Sequence, residues 1–312
     1  MSRNFDFGQR DMGRAGHVAL KNACIRKEIS FSTAATHGER WDIFCKWAKE
    51  INIKKMENVT DAVVKQYGRK LAFDVTSGNL SIATAHNYLS SINSVMSIAL
   101  KGRWCSISPT HDCDIENRSA IRTDAPGALN RVVFDATVQS VIHQLGPRAA
   151  SIIELARNFG LRSKEASLLN ARTALTQAEC SGAIQILDGT KGGLKRTVPV
   201  SSQIQIETIT RAAYAQGDAH AVMTEFCNWK KWREGALRST RDIVRSMTGG
   251  GLHDLRSAYA CERYQSFTGQ PAPCAGGAIF DKEMDRVARL RIAAELGHAR
   301  IEIVNEYIGG IK

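Results

Sequence analysis

The sequence predicts a mainly α-helical protein with one small β-sheet, arranged as an all-helical N-terminal domain followed by an α+β domain. Three observations carry this reading. Apolar residues recur at helical spacing over about 33–101. The periodicity lapses over 104–131, where Pro109, Pro126 and Gly127 stand among polar residues, and then resumes. A single strong strand signal, Ala183–Asp188, is followed by a glycine-rich turn and Arg196–Val200, which together read as a β-hairpin. The expected division is a basic arm at 1–27, a helical domain at 28–103, a linker at 104–131 and a second domain at 132–312.

Each element has a local reason. Residues 1–27 carry Arg3, Arg10, Arg14, Lys21, Arg26 and Lys27 against Asp6 and Asp11, with few large apolar side chains. Such an arm reads equally as a solvated terminus and as a segment that orders on DNA. In the helical domain Trp41, Phe44 and Ala48 form one stripe, and Tyr88, Leu89, Ile92, Val95, Met96 and Ala99 form another. Thr60 is placed to cap the second helix, and Gly78 and Asn79 separate it from the third. Beyond the linker, one run covers Phe134, Val138, Val141, Ile142 and Leu145. A second, from Ala149 through Leu155 to Phe159, puts Arg162 at a helix junction. The hairpin loop presents Lys191. Glycines 249–251 precede His253. Asp281 caps a helix running through Met284, Val287, Leu290 and Ala294 to a stop at Gly297, so His298 emerges at a helix end.

Composition narrows the partner. Among 312 residues, 42 Lys and Arg against 31 Asp and Glu leave a formal charge of +11, which favours a polyanion, most simply nucleic acid. No run approaches the roughly 20 apolar residues of a membrane helix. The start, Met-Ser-Arg-Asn-Phe-Asp, has no apolar signal core, so a cytoplasmic protein is expected. The eight cysteines show neither a Cys-x-x-Cys pair nor zinc-site spacing and read as reduced thiols. A phosphate-binding glycine loop is absent, the acidic residues are too scattered for a two-metal site, and no metal or other cofactor is implied.

One ordered set of residues points to phosphoryl transfer. Gly160-Leu161-Arg162-Ser-Lys-Glu165 comes first, then Thr190-Lys191-Gly192-Gly193, His253-Asp-Leu-Arg256, Leu296-Gly297-His298 and finally Tyr307. Two guanidiniums, Arg162 and Arg256, suit the negative charge that grows on a phosphodiester's non-bridging oxygens. His298 offers a further hydrogen bond to that phosphate. His253, on one helix face with Arg256 at i and i+3, suits proton exchange with a tyrosine. Lys191, with Lys195 as competitor, can protonate a leaving 5′ oxygen, and Tyr307 can act as nucleophile. Taken singly, each has a plainer reading: a surface arginine, a helix-surface His/Arg pair, a solvated Lys-Gly-Gly turn, a packing tyrosine.

Together these residues resemble the tyrosine recombinases, or phage-type integrases, whose pattern is an Arg near Gly-Leu-Arg-x-x-Glu, a hairpin Lys, His-x-x-Arg, Leu-Gly-His and a Tyr shortly after. The match covers about 133–312, and 33–101 looks like the family's SAM-like core-binding domain. By resemblance, Arg162, Lys191, His253, Arg256, His298 and Tyr307 would be catalytic, with Glu165 and Asp254 supporting them. The protein would cut and rejoin double-stranded DNA through a 3′-phosphotyrosyl intermediate as a homotetramer, integrating and excising a mobile element. An excision factor and a host DNA-bending protein would be its accessory partners. Resolution of chromosome or plasmid dimers, a topoisomerase-like activity and a non-catalytic DNA-binding role stay open.

Three departures from the pattern carry expectations of their own. The 42 positions from Arg256 to His298 are filled by a 265–280 loop, expected to be a peripheral insertion. Lys231, Arg238, Arg241 and Arg245 would share a helical face despite Gly235, as a DNA-contacting or a merely solvated stripe. Only five residues follow Tyr307, so no C-terminal helix is available for docking into a neighbour, and assembly contacts are expected elsewhere.

Overall fold

Serine, threonine and aspartate caps start most of the helices of the first unit, which reaches Ser119 in a computed structural model that describes residues 3–310. Residues 1, 2, 311 and 312, at the ends of the expected arm and the expected second domain, lie outside the described residues. Among the described residues the fold is mainly helical with one two-stranded sheet.

In the first unit Asp11, Ser30, Thr60, Ser81 and Ser108 cap α1 (Met12–Ile25), α2 (Phe31–Glu50), α3 (Asp61–Thr76), α4 (Ile82–Ala99) and α5 (Pro109–Cys113). Their shared core holds Trp41, Phe44 and Tyr67, with Phe44 edge-on to Tyr67 at 5.2 Å. The segment expected to be a basic arm thus contains a core helix. Beside Met12, Leu20 and Cys24, its buried face carries Gly13, Ala15, Gly16, Ala19 and Ala23, small residues that let the backbone lie close on α2. A methyl group added at Gly16 would stand 2.2 Å from Trp41 Nε1, which donates to the Met12 carbonyl at 3.2 Å. All six basic residues of 1–27 are exposed. Within the expected linker, Ile107, Cys113 and Ile115 are buried in this first core.

The second unit, from Ala120, contains α6 (Arg131–Leu145), α7 (Pro147–Phe159), α8 (Ser163–Leu168) and α9 (Ala171–Ser181). They lead into the antiparallel hairpin β1 (Ala183–Ile186) and β2 (Arg196–Pro199), paired from Ala183↔Pro199 to Ile186↔Arg196. Then follow α10 (Gln203–Gln216), α11 (Trp229–Glu234), α12 (Ala236–Thr248), α13 (Leu252–Thr268), α14 (Lys282–Leu296) and the short α15 (Asn305–Ile308). Helix α13 runs through the middle, packed on α7, α14 and α15. Its Glu262 carboxylate accepts from Arg157 of α7, whose side chain is fully buried, and from Arg131 of α6, so three helices meet at one ion cluster.

Two expectations change here. Gly235 breaks the chain between α11 and α12, so Lys231 sits on its own short helix, while Arg238, Arg241 and Arg245 line the exposed face of α12 opposite buried Leu237, Thr240 and Val244. The 265–280 loop is not peripheral. Ala272 and Cys274 are buried in the main core, and Cys261, Cys274 and the Tyr307 carbonyl meet, the two sulfurs 3.6 Å apart. Among the described residues no helix is long and apolar enough to cross a membrane.

Candidate active site

Helix ends build the site. Helix α7 stops at Gly160, whose φ of +62° suits glycine. A methyl there would stand 2.5 Å from Tyr259 and 2.8 Å from Leu296, so the chain turns tightly against α13 and the end of α14. The turn delivers Arg162 as the N-cap of α8. Glu165, three residues on, accepts from the Arg162 backbone N–H at 2.8 Å and from its Nη1 at 2.7 Å. At the other end of the chain, Gly297 (φ +70°) closes α14: its N–H donates to the Ala294 carbonyl and that of His298 to the Ala293 carbonyl. This double closure aims His298 back at the cleft.

Arg256, on α13, is fully buried. Its Nη1 donates to the Gly160 carbonyl and its Nη2 to the Leu296 carbonyl, the C-terminal ends of α7 and α14. Two helix dipoles therefore point their negative ends at one guanidinium. Burial lowers its pKa to about 10, which leaves it a cation at neutral pH. Its Nε donates to the Tyr307 hydroxyl at 3.3 Å, and Nη2 lies 3.3 Å from His298 Nε2.

The Tyr307 hydroxyl closes the circuit, 3.0 Å from His298 Nε2. Burial, then the charges of Arg256, Arg162, Arg196 and Lys191, push the His298 pKa down to about 4. The imidazole is thus neutral at pH 7, and a bare Nε2 suits two neighbours that can both donate to it. His253 also lies against the tyrosine, ring centroids 5.1 Å apart. Desolvation at the cleft wall, then Arg256 and Arg162, hold its pKa below the usual histidine value. The proton exchange expected of His253 thus has a nearer candidate in His298.

The structure brings Arg162, His253, Arg256, His298 and Tyr307 around one cleft. Lys191 is exposed in the 3-10 turn Lys191–Gly193 at the hairpin tip, near enough for its charge to act on His298. Glu165 carries bonds from two arginines, and Asp254 accepts from Arg122 Nη2 at 2.5 Å.

Two residues here escaped sequence reading. Arg122 also donates to Ser257 Oγ, and its backbone N–H to the Asn305 carbonyl, tying α13 to the segment that bears Tyr307. Arg196 holds Glu165 with both terminal nitrogens. Its signal was present, since strand alternation puts Arg196 on the face of buried Val198, an odd place for a charge. Arg122, in a stretch without periodicity, left none.

The fold is similar to that of solved site-specific recombinases and integrases. The chain resembles the XerH site-specific recombinase bound to palindromic difH substrate (18% identity, TM-score 0.58, 94% of this chain and 81% of that one). It also resembles the Tn1549 transposon integrase in complex with transposon right-end DNA (10%, 0.57, 95% of each). A third likeness is to a lambda integrase tetramer bound to a Holliday junction (13%, 0.54, 92% and 74%). Residues 120–262 match the integrase family model; the matched stretch includes Arg162, Lys191, His253 and Arg256. No curated protein matches the chain by sequence.

Proposed function

We propose that the protein is a site-specific DNA recombinase that cuts and rejoins strands through a 3′-phosphotyrosyl intermediate. The observation that carries this is the Tyr307 hydroxyl held between neutral His298 and the buried Arg256 cation. In the step proposed, Tyr307 Oη bonds to phosphorus as its proton passes to His298 Nε2. Arg162 and Arg256 stabilise the charge on the non-bridging oxygens. The P–O5′ bond breaks, and Lys191 supplies the proton to the leaving oxygen. His253 shields the tyrosine face and donates to phosphate. Resealing runs the same path backwards, with the bond energy kept in the phosphotyrosine.

Glu165 and Asp254 support the set by holding Arg162 and Arg122. For the partner we propose double-stranded DNA, bound by a homotetramer. The exposed arginines of α12, Lys231 of α11 and the six exposed basic residues of 1–27 are its phosphate contacts, and the +11 charge supports a polyanion.

The setting we propose is integration and excision of a mobile element, with an excision factor and a host DNA-bending protein as accessories. The test is expression in cells carrying the DNA that flanks the gene, with amplification across the excised circle's junction. A junction product dependent on Tyr307 supports this setting. Resolution of a dimeric plasmid bearing the same DNA, with no circle, supports the dimer-resolving role instead.

A further inference from the structure

Arg196 belongs to none of the roles above, yet it is the point at which three parts of the site meet. It opens β2, and its side chain is only 5% exposed. Nη1 donates to Glu165 Oε1 at 2.9 Å, Nη2 to Glu165 Oε2 at 2.6 Å, and Nε to the Glu295 carbonyl at 2.7 Å. One guanidinium thus joins the hairpin to α8, whose N-cap is Arg162, and to the end of α14, which turns to present His298. The fit on the α14 side is close. A methyl added at Gly297 would stand 2.9 Å from Arg196 Cδ, so the turn that delivers His298 wraps around this side chain.

The other end of the hairpin loop is held by far less. Residues 191–195 are all exposed, and Gly192 and Gly193 sit at φ +69° and +72° with open space around them. Arg196 follows directly and is the first buried anchor below the tip. A lysine ammonium on such a loop can serve a fixed phosphate only if the base of the loop is fixed to the same frame as the cradle.

We propose that Arg196 is a positioning residue that sets where the Lys191 ammonium stands relative to the Arg162 and His298 cradle. This rests on the reading of Lys191 as the acid that protonates the leaving O5′. A bidentate grip on Glu165 plus a third bond to a carbonyl needs the planar fork of arginine. Lysine, a single ammonium, keeps the charge and loses the geometry.

The test compares two nicked duplexes made from the DNA flanking the gene, one with the normal bridging oxygen at the cut phosphate and one with sulfur in its place. A thiolate leaves without a proton because thiols are far more acidic than alcohols, so the sulfur substrate bypasses Lys191. Adduct formation is followed on denaturing gels for wild type, Lys191→Ala and Arg196→Lys. Lys191→Ala should lose roughly 100-fold or more on oxygen and recover on sulfur. Arg196→Lys should show the same signature, slowed at least about tenfold on oxygen and within roughly threefold of wild type on sulfur. Equal loss on both substrates, or no loss on oxygen, would overturn the proposal. If Arg196→Lys does not fold, Arg196→Gln replaces it. Failure of both to fold makes Arg196 a stability residue and also overturns the proposal. Wild type forming no adduct on either duplex sinks the recombinase reading itself, an outcome visible without any variant.

Discussion

The Tyr307 hydroxyl and His298 Nε2 stand 3.0 Å apart, and the imidazole between the tyrosine and the arginines is held neutral. Its pKa is pushed to about 4 by burial first and by Arg256, Arg162, Arg196 and Lys191 after that. In the unfolded chain the same histidine takes a proton near 6.5. Between those values the unfolded state binds more protons, so stability is full above about pH 6.5 and falls as the pH drops towards 4. His253, also depressed, acts in the same direction. Urea unfolding at pH 7 and pH 5 should therefore show a smaller loss for His298→Gln than for wild type. An equal loss would place the acid sensitivity elsewhere.

Arg256 is held by two helix-end carbonyls and the tyrosine hydroxyl. Arg256→Met keeps the bulk and strands those acceptors without donors. We expect a loss of about 3 kcal/mol or more in urea unfolding, since each orphaned buried acceptor costs about 1–3 kcal/mol. A near-neutral result would mean that water or a rearranged side chain replaces the guanidinium.

The place of α1 in the first core is testable at one atom. Gly16→Ala sets a methyl 2.2 Å from Trp41 Nε1, and should cost about 2 kcal/mol through forced repacking. If residues 1–27 behaved as a free arm, the substitution would be silent or slightly stabilising.

Arg238, Arg241 and Arg245 are exposed on one side of α12, with Lys231 on the separate α11. If they contact phosphates, each alanine substitution lowers the slope of log affinity against log salt by about 1. Fluorescence anisotropy over a salt series reads this directly. An unchanged slope marks a solvated face.

Much of the site was legible because its pieces are local. The Arg162–Glu165 box spans three residues, His253 and Arg256 share a helix turn, and the caps at Thr60, Asp281 and Gly297 work on their own helices. What escaped depends on partners far along the chain. Arg196 meets Glu165 across 31 positions, and Arg122 meets Asp254 across 132. The small-residue face of α1 made sense only against Trp41, and the 265–280 loop only beneath Tyr307. The contact of the Tyr307 hydroxyl with His298 rather than His253 was equally a tertiary matter, since either histidine suits it by type.

The most direct test of the account is a covalent-adduct assay on denaturing gels, with nicked duplexes from the DNA flanking the gene and with wild type and Tyr307→Phe side by side. The loss of one hydroxyl should leave fold and DNA binding intact. The account predicts a protein–DNA adduct with wild type and none with Tyr307→Phe. An adduct formed equally by Tyr307→Phe, or DNA binding by both proteins with no adduct from either, would contradict it.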